Sequence, residues 1–237
     1  MSCICVVGMH RSGTSCLTGI MQNFGVELGE VFTENLYNKR GNRENGRIMQ
    51  LNEALLNHFG GAWNNPVAIT NWPDAAKPER DAIIEELEGR SSQHWGFKDP
   101  RTLFMLDFWE EAIGQVKLIG TIRHPHRVAL SLNNRDDTPF EQGWELWFAY
   151  NRKLLDLANE RQFALVDFDL NPDDYLDDAI SKLIALGLDS NSADKARNFF
   201  DSSLRNQTDT TVDDIQLPEH VEKLHQDLLD YIQNYST

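Results

Sequence analysis

Three groups of residues in this chain have types and spacings suited to holding anions. The first is Gly8-Met9-His10-Arg11-Ser12-Gly13-Thr14-Ser15, entered from the apolar run Cys3-Ile4-Cys5-Val6-Val7. The run reads as a buried strand, Gly8 to Gly13 as a tight loop, and Thr14 onward as the first turn of a helix. Glycines let successive backbone N–H groups converge on one anion, and a helix N-terminus adds unpaired donors and roughly half a positive charge. The chemistry implied is phosphate binding. A nucleoside-triphosphate loop carries lysine directly before its Ser/Thr; here that place is held by Thr14, and the nearby cation is Arg11, whose guanidinium can fork onto two oxygens. The second group is Lys98-Asp99-Pro100-Arg101, two cations and a carboxylate at a predicted strand-to-helix change, where at least one cation is expected to face a ligand. The third is Arg123, at the end of the predicted strand Val116 to Ile122, with Ser131 roughly two helical turns farther on. That pair is suited to a second anion, distinct from the one at the first loop.

The elements that must position these groups alternate between strand and helix. Predicted strands cover Cys3 to Val7, His94 to Phe97, Val116 to Ile122 and Phe163 to Asp167. Predicted helices cover Thr14 to Phe24, Ile48 to Phe59, Asp81 to Glu88, a stretch after Pro100, one after Pro125, Phe140 to Ala158, Tyr175 to Leu186, Ser192 to Phe200 and Glu219 to Tyr231. Gly187 suits a helix cap. The fold class expected is α/β, a P-loop-like parallel sheet covered by helices on both faces, with the strand order left open. Ligand-facing loops of such sheets gather at the C-terminal ends of the strands. Between these elements, Val26 to Gly46 is polar and lacks periodicity, with Glu30, Glu34, Asn35, Asn38, Lys39, Arg40, Asn42, Arg43 and Glu44 suited to border the phosphate pocket. Gly89 to Gln93 reads as a turn, Asp201 to Pro218 as irregular, and Trp63 to Pro78 as a packed irregular lid. The domain expectation is a single unit over 1–237, with 60–95 allowed as a small lid or lobe.

Composition narrows the classes further. With 22 Lys plus Arg against 37 Asp plus Glu, the formal charge is −15, which disfavours nucleic-acid and anionic-membrane partners and requires any anionic ligand to be held by a local positive site. No apolar segment is long enough to span a bilayer, and the chain opens directly into a strand, so cytoplasmic residence is the default expectation. Cys3, Cys5 and Cys16 lack a ligand-rich companion cluster and are read as reduced core thiols, with no metal site. The aromatics of Phe140 to Ala158 are assigned to packing, whereas Trp63, Trp72, His94 and Trp95 suit either packing or an aromatic entrance. No heptad seam indicates an oligomeric state.

The motifs together resemble the sulfotransferases that use 3'-phosphoadenosine 5'-phosphosulfate (PAPS). VVGMHRSGTS is similar to their 5'-phosphosulfate loop, IRHPHRVALS to their 3'-phosphate segment, and WGFKDPRT and ELWFAYNRKLL to a broad bacterial branch, while KDP recurs in tyrosylprotein sulfotransferases. The resemblance runs from about Cys3 to Leu170, with a weaker echo at FFDSSLRN. It implies that the backbone of Arg11, Ser12, Gly13 and Thr14, with the Thr14 and Ser15 hydroxyls, holds the donor's 5'-phosphate, and that Arg123 and Ser131 select its 3'-phosphate. Arg11 and Lys98 would then stabilise the transferring sulfuryl oxygens and the leaving 3'-phosphoadenosine 5'-phosphate (PAP). No metal is implied.

A hydroxyl acceptor also needs a proton acceptor. GNRENGRIMQLNEALL resembles a bacterial segment carrying a glutamate at the Glu44 position, so Glu44 is the first candidate base and Glu34 the second, with Asp99 orienting Lys98 or Arg101. His10, His58 and His124 have weaker claims. The acceptor, a carbohydrate, small molecule or peptide, is not selected by the sequence. Two other classes stay open: a small-molecule or nucleoside kinase, which the missing loop lysine disfavours, and a nucleotide-binding or interaction protein without catalysis.

Overall fold

The computed structural model describes residues 2–34, 41–91, 93–199 and 215–235. Among these residues, four parallel strands, β1 (Ser2–Val7), β2 (His94–Lys98), β3 (Val116–Ile122) and β4 (Leu165–Asp167), form one sheet in the order β2-β1-β3-β4. The helices are α1 (Thr14–Asn23), α2 (Gly46–His58), α3 (Lys77–Arg90), α4 (Leu106–Ile113), α5 (Pro125–Asp136), α6 (Phe140–Arg161), α7 (Pro172–Ala185), α8 (Ala193–Phe199) and α9 (Glu219–Asn234).

The sheet separates two hydrophobic cores, and the strand sequences show why. Successive side chains point to opposite faces, so a strand buried on both sides reads as a continuous apolar run. In β1, Cys3, Cys5 and Val7 join a core with α2 to α6 and α9, while Ile4 and Val6 join another with α1, α7 and α8. Cys3 and Cys5 are buried thiols outside any disulfide whose pKa burial pushes well up, which fits packing residues; Cys16 likewise forms no disulfide. The fold is therefore α/β, with helices covering both faces of a parallel sheet.

Some element limits differ from those read from sequence. Helix α3 starts at Lys77, four residues before the expected Asp81, because Pro78 needs no N–H partner in a first turn; it then runs through Gly89 to Arg90, where a turn was expected. The stretch after Pro100 divides into a 3₁₀ segment, Pro100–Phe104, and α4, with Met105 at φ −147° between them. Asp99 caps the 3₁₀ segment by accepting from the Arg101 N–H at 2.9 Å. From the expected irregular stretch 63–78, Trp63, Val67, Ile69, Trp72 and Ala76 pack against the larger core. Asn35, Asn38, Lys39 and Arg40 lie outside the described residues, as do 201–214 and most of FFDSSLRN.

Candidate functional site

Each candidate group follows the C-terminal end of a strand: Gly8 to Ser15 after β1, Lys98 to Arg101 at the end of β2, and Arg123 after β3. The pairing of three parallel strands brings these ends to one edge of the sheet. A fourth group, Phe168 and Asp169, follows β4 beside Arg123.

The loop after β1 has a backbone only glycine adopts easily. Gly8 has φ +143° and Gly13 φ +85°; a Cβ on Gly8 would lie 2.6 Å from the Thr121 carbonyl oxygen, and one on Gly13 would lie 2.3 Å from the Phe168 ring. Arg11 also has positive φ, at 68°. The Thr121 hydroxyl donates to the Ser12 carbonyl at 2.9 Å and fixes the loop against β3. Helix α1 has no side-chain cap, and the N–H groups of Gly13, Thr14 and Ser15 make no hydrogen bond among the described residues. These are open donors at a helix N-terminus.

The side chains of the loop are arranged less simply than its backbone. Arg11 Nε donates to Ser131 Oγ at 2.7 Å, and Arg123 Nη1 donates to the Arg11 carbonyl at 3.3 Å. The two anion segments, read from sequence as separate, therefore meet through Arg11. Burial first, then Arg135 and Arg123, lower the Arg11 pKa to about 10, so like charges crowd its guanidinium. Ser15 Oγ donates to the Asn42 carbonyl at 3.0 Å, and Ser12 Oγ is buried without a hydrogen-bond partner among the described residues. Thr14 and Ser15 line a cavity of about 360 Å³ with His10, Arg11, Glu44, Trp63, Lys98, Arg101, Arg135 and Asp136.

In that cavity Lys98 Nζ donates to Glu44 Oε1 at 2.7 Å, and their side chains are 2% and 7% exposed. The sequence distance between them is 54 residues; β2 and the start of α2 bring them together. Lys98 keeps two further N–H donors and Glu44 a second oxygen, so the pair can serve a donor and an acceptor together. Behind it Arg101 bonds Asp99 Oδ1 through Nη1 at 2.9 Å and Glu53 Oε2 through Nε at 2.5 Å. Burial pushes the Asp99 carboxyl up to about 6, Arg101 opposing and Glu44 adding to the rise. Asp99 thus orients Arg101, while Lys98 is held by Glu44. Glu34, the second candidate base, is exposed and does not line this cavity, whereas Glu44 does.

Arg123 sits in a different environment. Its Nε is 3.6 Å from Asp169 Oδ1, and its guanidinium lies 5.3 Å from the Phe168 ring centroid. Asp169 also receives Arg127 Nη1 at 2.6 Å and the His124 N–H at 2.5 Å. Burial would raise the Asp169 carboxyl, but the His124 N–H, Arg123 and Arg127 together hold it below the usual carboxylate range. These residues border a smaller cavity of about 180 Å³. Sequence reasoning missed Phe168, Asp169, Arg127, Arg135 and Asp136. The available signals were the position of Phe168 and Asp169 just after β4, and the four-residue spacing of Arg135 from Ser131.

No protein-family model matches the chain, and no curated protein matches it. A sulfotransferase domain from the Synechococcus PCC 7002 olefin synthase superposes with a TM-score of 0.59 at 20% identity, covering 96% of this chain and 94% of that one. The fold resembles that of a sulfotransferase domain. The likeness spans nearly all of both chains, so it concerns the whole sheet and its helices. A sulfotransferase domain from the curacin biosynthetic pathway gives a TM-score of 0.47 at 14% identity, over 96% of this chain and 97% of that one.

Proposed function

We propose that this protein is a PAPS-dependent sulfotransferase acting on a hydroxyl or amine acceptor. The observation that carries the reading is the meeting of the open loop donors with the Arg123–Ser131 segment through Arg11, beside the buried Lys98–Glu44 pair. The donor set suits the cofactor: the Gly8 to Ser15 backbone and Thr14 would hold its 5'-phosphate, and Arg123 and Ser131 its 3'-phosphate. Phe168 supplies an aromatic wall against Gly13, near Arg123. When bound, PAPS supplies the sulfuryl group.

The chain's own residues divide the remaining work. Lys98 donates to the oxygens on which negative charge grows, and Arg11 adds a second cation at the loop, so both contribute most in the transition state. Glu44 takes the proton of an acceptor hydroxyl through a carboxylate oxygen, while Lys98 keeps that carboxylate in place. Asp99 and Glu53 restrain Arg101 on the cavity wall. No protein nucleophile is required.

Calorimetry tests the reading by comparing PAP with adenosine 5'-phosphate. PAP is expected to bind more tightly, and Arg123→Ala to erase most of the difference, on the order of 2–5 kcal/mol for a buried charge-assisted contact. Equal affinities in the unaltered protein would overturn the assignment.

A further inference from the structure

Arg135 has no role in the transfer described for Lys98 and Glu44, yet it is built into the cavity that they line. It lies one helical turn beyond Ser131 on α5, on the same face and away from Arg123. Its guanidinium sits 4.6 Å from the Trp63 ring centroid. Nε and Nη2 both donate to Asp136 Oδ2, at 3.1 and 2.6 Å, and the Thr138 hydroxyl holds the other Asp136 oxygen at 2.6 Å. Burial would raise the Asp136 carboxyl, but Thr138 and Arg135 outweigh it and hold it low, so the partner stays ionised. Nη1 makes no hydrogen bond or ion pair among the described residues. A guanidinium stacked on a ring and pinned along one edge is already ordered, so little rotamer entropy is lost when its open edge binds a ligand.

The charge around Arg135 indicates what that ligand is. Its field adds to the crowding of Arg11, and with burial, Arg101, Lys98 and Arg11 it keeps His10 neutral. Among the described residues the cavity wall carries four cations, Arg11, Lys98, Arg101 and Arg135, in a chain of net charge −15; Glu44 pairs with Lys98, Asp99 and Glu53 with Arg101, and Asp136 with Arg135. Arg101, with Nε and Nη1 engaged by Glu53 and Asp99, keeps Nη2 for a ligand. An oxyanion can bridge the open edges of Arg135 and Arg101, which a neutral acceptor would leave to water.

Resting on the sulfotransfer reading, we propose that the acceptor carries an oxyanion, a carboxylate or a phosphate monoester, set apart from its nucleophilic hydroxyl and bound by Arg135 with help from Arg101. The Trp63 side of the cavity is then the acceptor's, and the Arg123 end the donor's. The group supplies specificity: it orients the hydroxyl toward Glu44 and excludes uncharged analogues.

The experiment uses matched probes: glucose against glucuronate and glucose 6-phosphate, and 4-hydroxybenzamide against 4-hydroxybenzoate. Binding is followed by calorimetry on PAP-saturated protein, and acceptance by transfer from labelled donor to protein free of PAP. At least one charged probe is expected to outperform its neutral counterpart by about tenfold or more, as for a charge-assisted contact. Arg135→Gln should remove that advantage and leave PAP affinity within about twofold; Arg135→Met, which keeps the packing on Trp63, replaces it should the glutamine variant fail to fold. Success of glucuronate alone identifies a carboxylate, and of glucose 6-phosphate alone a phosphate; either supports the proposal. Equal use of charged and neutral probes, or no binding of any charged probe, overturns it while leaving sulfotransfer intact if PAP still outcompetes adenosine 5'-phosphate. A matching fall in PAP affinity in the Arg135 variants also overturns it, by assigning Arg135 to the donor. PAP binding no tighter than adenosine 5'-phosphate removes the sulfotransfer reading and the acceptor assignment together.

Discussion

At the residue scale, the buried Lys98–Glu44 pair, to which we assign the transfer step, lets stability and chemistry be tested together. Removing one member of a buried ion pair leaves an uncompensated charge, so Lys98→Ala is expected to cost about 3–5 kcal/mol in urea denaturation. Combining Lys98→Met with Glu44→Gln should recover most of that stability without recovering turnover, because stability needs only charge balance whereas the proposed transfer needs both groups. Full activity in the double variant would exclude the pair from catalysis. Asp99 gives a pH signature. Its folded carboxyl titrates near 6, above the ordinary carboxylate value of about 3.9, so its contribution to stability is complete below about pH 4 and is lost as pH rises through about 6. Asp99→Asn removes this dependence. The stability difference between the two proteins should therefore shift toward the variant between pH 4 and 7, by on the order of 2 kcal/mol; a difference independent of pH would show that Asp99 does not titrate there.

At the element scale, the loop after β1 depends on close approach as well as on glycine's backbone freedom. Gly13 and Gly25 both have positive φ, +85° and +91°, but a Cβ on Gly13 would strike Phe168 at 2.3 Å, whereas one on Gly25 would meet nothing within 4 Å. Gly25→Ala should cost only the left-handed backbone strain, about 1–2 kcal/mol. Gly13→Ala must also displace the Phe168 ring and the loop N–H groups, so PAP affinity should fall by about tenfold or more beyond any change in Gly25→Ala. Calorimetry on the two variants separates strain from site geometry, and equal PAP affinities would dissociate Phe168 packing from the nucleotide loop. The strand and helix pattern that builds this loop was legible in the sequence, because β1, buried on both faces, is a continuous apolar run. The early start of α3 was obscured by Pro78, which reads as a breaker but fits a first turn.

At the scale of the whole molecule, the proposed donor site draws on elements from both halves of the chain, so donor binding should stabilise them jointly. At 100 times its dissociation constant, PAP is expected to add about 2.7 kcal/mol, raising the melting temperature by roughly 5–10 °C for a chain of this size. Adenosine 5'-phosphate at the same concentration should raise it less, and an equal shift would remove any role for Arg123 in selecting the nucleotide. The net charge of −15 makes the converging cations conspicuous: they lie at one edge of the sheet on an otherwise acidic chain. No helix among the described residues is long and apolar enough to cross a membrane.

The sequence by itself determined the alternation of strands and helices and the parallel α/β class, and it singled out three groups of residues suited to anions, because these depend on local periodicity, glycine and proline chemistry and short spacing. Tertiary structure alone decided the order β2-β1-β3-β4 and the partners of those groups. Lys98 finds Glu44 across 54 positions and Arg11 finds Ser131 across 120. Asp169 closes on Arg123, and Arg135 stacks on Trp63. Such contacts arise from strand register and the docking of helices across the sheet, and no local pattern encodes them. The sequence could therefore name the charges, but only the folded sheet could show which of them face one another.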